Sequence, residues 1–360
     1  MLIHLLFVLG VSAAVCATLI SGRSLHIRVT GDHLGRGTHK THDGIVPRVG
    51  GIAVLMGTLA GLALATPHLY PSAAMSLWVL LSGSFLIFGV GLLEDLTHAV
   101  LPGLRYAACL FGALLVSLAN GAFGVTSTGI EWLDGILAIT AFSVLFFVFA
   151  VAGVTHAFNL IDGQNGLCAG YSIITLLALG LSAGLTGQAT IAVLCEILIA
   201  ANIGFLAFNF PKGRLFLGDS GAYLNGALIA MLTVVVVEGA IDTSPWFAIT
   251  ILVYPITETL YTIFRRLRSG KPFYVADCHH MHHLFARHLN RHGSRIERMP
   301  ALLPLGMAAP IVLSAPFLMA NTAALVALSL SYVASYAFLY HWLSQHDKRF
   351  ETVQHASAPE

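Results

Sequence analysis

Long apolar runs alternate with short polar connections along this chain, and the runs are too long for strands. Eleven stretches are apolar enough to cross a bilayer: 2–20, 49–66, 73–93, 104–120, 135–153, 167–184, 188–208, 221–238, 246–264, 301–319 and 322–343. Each residue of a helix rises 1.5 Å and the hydrocarbon layer is about 30 Å thick, so a span takes about 20 residues. The pattern predicts an all-α polytopic membrane protein of about 11 transmembrane helices. Strands of a barrel would alternate apolar and polar in segments of about 10 residues. One transmembrane domain, 1–345, holds every run, and a tail, 346–360, follows.

The connections sort by charge. Those at 67–72, 121–134, 185–187, 239–245 and 320–321 carry no lysine or arginine. The alternate connections, together with Arg105 at the mouth of one span and the tail, carry all 18. The positive-inside rule then places the N-terminus outside and the tail, with Lys348 and Arg349, inside. Acids are present on the other side (Glu131, Asp134, Glu238 and Asp242), so the sorting is by sign.

The inner connections, 21–48, 94–103, 154–166, 209–220 and 265–300, gather most of the histidines with Asp32, Asp43, Glu94, Asp95, Asp162, Asp219 and Asp277. A transporter would place polar groups near the midplane on broken helices. Here Glu196 is the acid that stands out in mid-span. Polar groups concentrated on one side point to an enzyme or receptor at the cytosolic membrane surface.

Composition narrows the class further. Of 360 residues, 57% are hydrophobic and 10% charged, against about a quarter charged in a soluble domain. Mean hydropathy is +0.82. A soluble fold, a disordered chain, a collagen-like fibre and a disulfide-stapled module are excluded. A net charge of +1 gives no nucleic-acid signature. The cysteines (Cys16, Cys109, Cys168, Cys195 and Cys278) form no disulfide framework, four of them lying in apolar runs. The first 20 residues lack the basic start of a signal peptide and read as the first span.

Five polar constellations fall on the charged side. His39–Gly51 (HKTHDGIVPRVGG) sets Lys40, His42 and Arg48 beside a Pro-Gly-Gly backbone, which suits a phosphate or an anionic lipid surface. Glu94-Asp95, with His98 and Arg105 beyond, ends an apolar run with adjacent carboxylates. The helix macrodipole disfavours acids there, whereas Mg²⁺ binding or proton acceptance would use them. Asn159–Leu167 (NLIDGQNGL) offers Asn159, Asp162, Gln164 and Asn165 in a turn, hydrogen-bonding groups of the kind a nucleotide or sugar needs. Phe216–Gly221 (FLGDSG) opens a helix with Asp219, either as a cap or as a metal ligand beside anion-binding amides. Asp277–His283 (DCHHMHH) holds four histidines in five positions, including His280, His282 and His283, among many arginines. A di-iron oxygenase would need several such boxes, so a phosphate-orienting patch fits better than a Zn²⁺ or Fe site. Carboxylates, glycine-backed amides and cations on one face are the kit for phosphoryl transfer.

The ordered set of motifs resembles the polyprenyl-phosphate N-acetylhexosamine-1-phosphate transferases, over about residues 30–290. GLLEDLTH falls where that family has an Asp-Asp pair, FNLIDGQNGL resembles its Asn-x-x-Asp-Gly-x-Asp-Gly loop, RLFLGDSG its Phe-x-Gly-Asp-x-Gly loop, and DCHHMHH its Asp-x-x-His-x-His-His pattern. The resemblance implies transfer of a sugar-1-phosphate from a UDP-sugar to undecaprenyl phosphate, with release of UMP. It also implies Mg²⁺ (Mn²⁺ as a substitute) and a multi-pass protein of the bacterial inner membrane with its site on the cytosolic face. A homodimer is left open.

On this resemblance Asp219 is the metal ligand, and Glu94, Asp95 and Asp162 surround the lipid phosphate as base or nucleophile. Asn159 and Asp162 lie near the nucleotide, and His280, His282 and His283 contact phosphates or sugar. Lys40, His42, Arg48, Arg105 and Asn165 complete the implied substrate-binding set. Glu94 for Asp, Asn165 for Asp and His98 for the Lys of the peptidoglycan translocases are departures. The missing Lys argues against the peptidoglycan translocase, and the eleven-span count with the His-x-His-His form favours the O-antigen or exopolysaccharide-starting branch. A single in-line attack and a covalent aspartyl-phosphate both fit. The rival readings are a lipid-linked-sugar transporter and a non-catalytic scaffold.

Overall fold

The computed structural model describes residues 2–32, 45–270, 279–291 and 299–356. Apolar runs become helices because a chain in lipid must satisfy its own backbone. In order these are α1 (Leu2–Ser21), α2 (Arg23–Thr30), α3 (Gly50–Ala65), α4 (Pro71–Thr97), α5 (Pro102–Ala119), α6 (Glu131–Leu137), α7 (Thr140–Ile161) and α8 (Leu167–Leu185). Then come α9 (Ala189–Asn209), α10 (Gly218–Glu238), α11 (Trp246–Ile251), α12 (Val253–Arg268), α13 (Met281–Arg291), α14 (Leu302–Ser314) and α15 (Thr322–Ala356). Two-residue strands, β1 (Gly31–Asp32) and β2 (Val46–Pro47), pair antiparallel.

Among the described residues nine helices are long and apolar enough to cross a membrane: α1, α3 with the 3-10 turn that follows it, α4, α5, α7, α8, α9, α10 and α15. They match nine of the eleven expected runs. The other two differ for local reasons. Run 301–319 gives the short α14, which contains Pro310 and ends in a 3-10 turn at Ala315–Phe317. Run 246–264 breaks at Leu252, which leaves the helical region at φ −105° and ψ 15°. The break is sealed from α8. The Tyr171 hydroxyl donates to the Ile251 carbonyl at 2.8 Å and accepts from the Tyr254 N–H at 3.4 Å. Thr175 adds a bond to the same carbonyl at 3.4 Å.

The expected inner connections are also more helical than their polarity suggests. α4 runs on through Glu94 and Asp95 to Thr97, and α7 through Asn159 to Ile161. Residues 281–291, expected in an aqueous loop, form α13, with Met281, His282 and Leu284 buried. The acid expected to be alone in mid-span, Glu196, has a counterpart in Glu258, fully buried on α12.

α10 is the hub. Of its central stretch 83% is buried, against 17–67% for the other spans. It packs on α3, α4, α7 and α8. Small residues let the helices close up. A Cβ on Gly51 would strike the Gly221 backbone, and one on Gly91 would lie 2.8 Å from the Ser220 Cα. Buried amides on α9 and α10 pair reciprocally, Asn202 to Asn225 at 3.1 Å and Asn225 to Asn202 at 2.8 Å. The four described cysteines are buried free thiols. Cys278 lies outside the described residues.

Candidate active site

The start of α10 shares one end of the bundle with the starts of α3, α5 and α8 and the ends of α4, α7 and α9. Segment 47–51 is stitched to segment 216–217: Phe216 N–H donates to Pro47 at 2.9 Å, Gly50 N–H to Phe216 at 2.8 Å and Gly51 N–H to Leu217 at 2.9 Å. Two of the sequence constellations therefore run side by side. Gly218, at φ +76°, turns the chain into α10 against the Arg48 carbonyl and the Asp95 carboxylate, where a Cβ would not fit.

A helix start leaves N–H groups without partners. Here Asp95, reaching across from α4, supplies the acceptors. Its Oδ1 accepts from Asp219 N–H at 2.8 Å, and its Oδ2 from Ser220 N–H at 2.9 Å and the Ser220 hydroxyl at 2.7 Å. Asp95 is completely buried. Asp219, freed from capping its own helix, turns its carboxylate to two guanidinium groups, Arg48 Nη2 at 3.1 Å and Arg105 Nη1 at 2.6 Å. Arg48 also lies 3.7 Å from Asp95, and Arg105 lies 3.9 Å from Glu94. The other oxygen of Glu94 accepts from the Val100 N–H at 2.9 Å, just past His98, whose left-handed φ of 52° ends α4.

Asp162 follows the last turn of α7 and accepts from the Gly218 N–H. Burial raises its pKa well above the usual carboxylate range. Asp219 and Asp95 push the same way, and Arg48 opposes. Asn159 lies half-buried one turn earlier, its carbonyl accepting from the Asp162 N–H at 3.2 Å.

The histidine motif reaches the same turn. A Cβ on Gly163 would collide with Nε2 of His282, which has no hydrogen-bond partner among the described residues. The His280 and His282 rings stack at 5.5 Å, and His282 and His283 lie 4.3 Å apart. Burial, with His283 and His280 alongside, pushes His282 well below the ordinary histidine range. Its ring is therefore neutral at pH 7 and acts as a hydrogen-bonding group, not a cation.

The structure thus brings Glu94, Asp95, Asp162, Asp219, Arg48 and Arg105 into one cluster and sets His282 against its edge. Asn165 faces elsewhere. It donates to the Pro211 carbonyl at 3.4 Å and packs on Gly213, holding the 209–215 connection. Lys40 and His42 lie outside the described residues.

Two groups beside the carboxylate cluster escaped the sequence reading. Tyr223 on α10 is buried and takes a hydrogen bond from Arg105. His156 on α7 sits 5.2 Å from the Tyr106 ring and 5.1 Å from that of Tyr223. Tyr223 lies inside the apolar run 221–238 and His156 just ahead of the Asn159–Leu167 motif, so neither belongs to a motif.

Comparison with known proteins decides the family. Residues 77–237 match the model of glycosyl transferase family 4. A probable undecaprenyl-phosphate N-acetylglucosaminyl 1-phosphate transferase of Bacillus subtilis (strain 168) is 31% identical over 259 residues, 68% of this chain and 66% of that protein. The chain belongs to glycosyl transferase family 4. The undecaprenyl-phosphate alpha-N-acetylglucosaminyl 1-phosphate transferase of Escherichia coli (strain K12) is 28% identical over 254 residues, 69% of this chain and 67% of that protein. That of Salmonella typhi is 29% identical over 256 residues, with the same two shares. The chain thus spans about two thirds of the length of these relatives. Membership in the glycosyl transferase family agrees with the resemblance carried by the five motifs, and the matched residues 77–237 include Glu94, Asp95, Arg105, Asp162 and Asp219, with Arg48 lying before them.

Among the described residues no three His, Cys, Asp or Glu side chains gather as an all-protein metal site, so a divalent cation would have to share its coordination with substrate. Mg²⁺ takes oxygen ligands and is usually held by one or two carboxylates together with substrate phosphates, not by an all-protein cage. Asp219 offers such a carboxylate at a helix start, with Asp162 and Glu94 in the same cluster. The two oxygens that would bind the ion are those the arginines neutralise in the free protein.

Proposed function

We propose that the protein transfers an N-acetylhexosamine-1-phosphate, with N-acetylglucosamine first in line, from a UDP-sugar to undecaprenyl phosphate and releases UMP, and that it does so on the cytosolic face of a bacterial inner membrane. The observation that carries this reading is the single cluster in which Asp95, Asp162 and Asp219 meet Arg48 and Arg105. The names of the relatives supply the substrates, and the sorting of basic residues supplies the face.

An oxygen of the lipid phosphate attacks the sugar-bearing phosphorus of the UDP-sugar. The new bond makes a lipid–pyrophosphate–sugar, and the bridging oxygen leaves with UMP. A lipid phosphate is already largely ionised near neutral pH, so positioning and charge neutralisation outweigh proton removal. Arg48 and Arg105 exchange Asp219 for phosphate oxygens and neutralise the pentavalent charge. Asp95 keeps Asp219 and the start of α10 in place throughout. Asp162, whose burial disfavours the charged carboxylate, adds little negative charge beside the phosphates and so limits their repulsion. The neutral His282 donates or accepts at the same turn. Mg²⁺ bound at Asp219 would supply further neutralisation of the pyrophosphate.

An apolar cavity of about 510 Å³ between α7, α10, α11 and α12, lined by Val154, Ala157, Leu252 and Ile256, gives an isoprenoid chain a lateral bed beside α7. This favours a lipid acceptor over a soluble one. The test is UMP release from a panel of UDP-sugars by membranes supplied with undecaprenyl phosphate. Release from UDP-N-acetylglucosamine, abolished by a chelator and restored by Mg²⁺, is expected. No release from any UDP-N-acetylhexosamine sinks the reading.

A further inference from the structure

The broken span carries a charge that the transfer chemistry above leaves unused. Glu258 lies on α12, seven residues before Arg265. That is about 10 Å along the axis from the basic end of the helix. It is fully buried. A lone carboxylate at such depth costs several kcal/mol, so acids inside spans stand with a partner and mark a working part of the protein.

The partner comes from the histidine motif. The His280 Nδ1 is 3.0 Å from Glu258 Oε1, and the Met281 N–H, at the first position of α13, donates to the same oxygen at 3.3 Å. Thr262, one turn further along α12, lies 3.3 Å from the same imidazole nitrogen. Glu258 thus binds both a ring and the start of a helix. From that ring the contacts run outward. His280 stacks nearly parallel on His282, with 8° between the planes. His282 has its Nδ1 3.4 Å from the Tyr254 hydroxyl, and its Nε2 abuts Gly163, next to Asp162.

The second carboxylate oxygen, Oε2, is buried on the side of Tyr336 of α15. Both contacts that Glu258 makes with the histidine motif, the His280 ring and the Met281 N–H, therefore converge on Oε1.

We propose that Glu258 is a positioning residue: it fixes the His280 ring and the first turn of α13, and so holds His282 against the Asp162–Gly163 turn. The inference rests on the transfer reading for the role of that turn, though not for the contacts themselves. Glu258 touches neither substrate nor the carboxylate cluster. It acts through His280.

The experiment uses the full-length protein in detergent or nanodiscs, with UDP-N-acetylglucosamine and undecaprenyl phosphate as probes. Glu258→Leu, Glu258→Gln, His280→Ala and the double variant Glu258→Leu/His280→Ala are compared with wild type. Glu196→Gln serves as a control for removing a different acid from a span. Glu258→Leu is expected to lower kcat by about 100-fold, the cost of a misplacement of about 1 Å, with KM for the lipid unchanged. Glu258→Gln keeps an acceptor for the Met281 N–H and should recover most of that loss. The double variant should be no slower than the worse single one, because the two residues act as one unit.

A second readout needs no turnover. Diethyl pyrocarbonate modification, located by mass spectrometry, should find His282 protected in wild type and Glu196→Gln but reactive in Glu258→Leu and His280→Ala. Wild-type kinetics and protection in Glu258→Leu would overturn the proposal, as would losses that multiply in the double variant. Should Glu258→Leu not accumulate, loss of protection in His280→Ala, with none in Glu196→Gln, upholds the link. Protection retained in His280→Ala breaks it. Absence of UMP release by wild type overturns the transfer reading instead, and the footprint then decides the positioning by itself.

Discussion

At Asp95 three donors and a guanidinium converge on one buried carboxylate, while at Asp219 the same fold leaves a carboxylate facing two arginines. Replacing Asp95 by Asn leaves one oxygen for two backbone N–H groups and puts an amide where a hydroxyl donates. The expected loss is about 1–3 kcal/mol of stability, read as a lower Tm in detergent together with reduced turnover. An unchanged Tm would mean that the cap is not Asp95.

Asp162 predicts a pH effect of definite sign. Above the ordinary carboxylate value of 3.8 the unfolded chain has released this proton while the native protein still holds it. The native state then binds more protons, so stability falls as pH rises. Asp162→Asn removes that term, so as pH rises above 3.8 the Tm of wild type should decline relative to the variant. Parallel curves would contradict it. Gly163→Ala pushes a methyl into His282 and should lower kcat/KM by about 100-fold. Wild-type kinetics in that variant would separate the histidine motif from the turn.

The acids of the cluster were legible in the sequence as members of motifs, but their division of labour was not. Asp95 caps a helix that begins more than a hundred residues later, and no local pattern encodes that pairing. Glu258 was missed because YPITETLYT reads as one more amphipathic turn until His280 is folded onto it.

At the scale of elements the informative failure is run 246–264. Its hydropathy describes one span, and nothing in that average marks Leu252. The break is stabilised from another helix, by the Tyr171 hydroxyl on α8. Tyr171→Phe should cost about 1–2 kcal/mol by leaving the Ile251 carbonyl and the Tyr254 N–H with fewer partners, measured by thermal unfolding in detergent. An unperturbed Tm would show that the break holds without it. Nine of the runs became spanning helices because sustained apolarity over about 20 residues leaves few alternatives in lipid. The polar ends were harder to place. Glu94, Asp95 and Asn159 look like loop residues by hydropathy, yet they ride on the last turns of α4 and α7, which project past the apolar stretch and carry the site.

Across the whole molecule the two ends differ in kind. One end holds the carboxylates, the arginines and the histidine motif. The other is tied by small polar clasps, such as Glu238 to the Thr126 N–H at 2.9 Å and Asp134 to the Thr128 N–H at 2.6 Å. A membrane-impermeant thiol reagent in oriented vesicles should therefore reach cysteines placed at Arg214 and Ser269 from one side, and at Ile241 from the other. Labelling of all three from one side would contradict the arrangement.

The family was readable from motif order, since that order is a property of the chain in one dimension. The convergence of those motifs on α10 was not. It depends on glycines at 51 and 91 that matter only where helices touch. The account stands most directly on Asp219. Purified protein given UDP-N-acetylglucosamine, undecaprenyl phosphate and Mg²⁺ should form the lipid-linked sugar pyrophosphate, detected by mass spectrometry. Asp219→Asn, folded to the same Tm, should lose at least about 100-fold in rate. Product formed by Asp219→Asn at the wild-type rate would contradict the account.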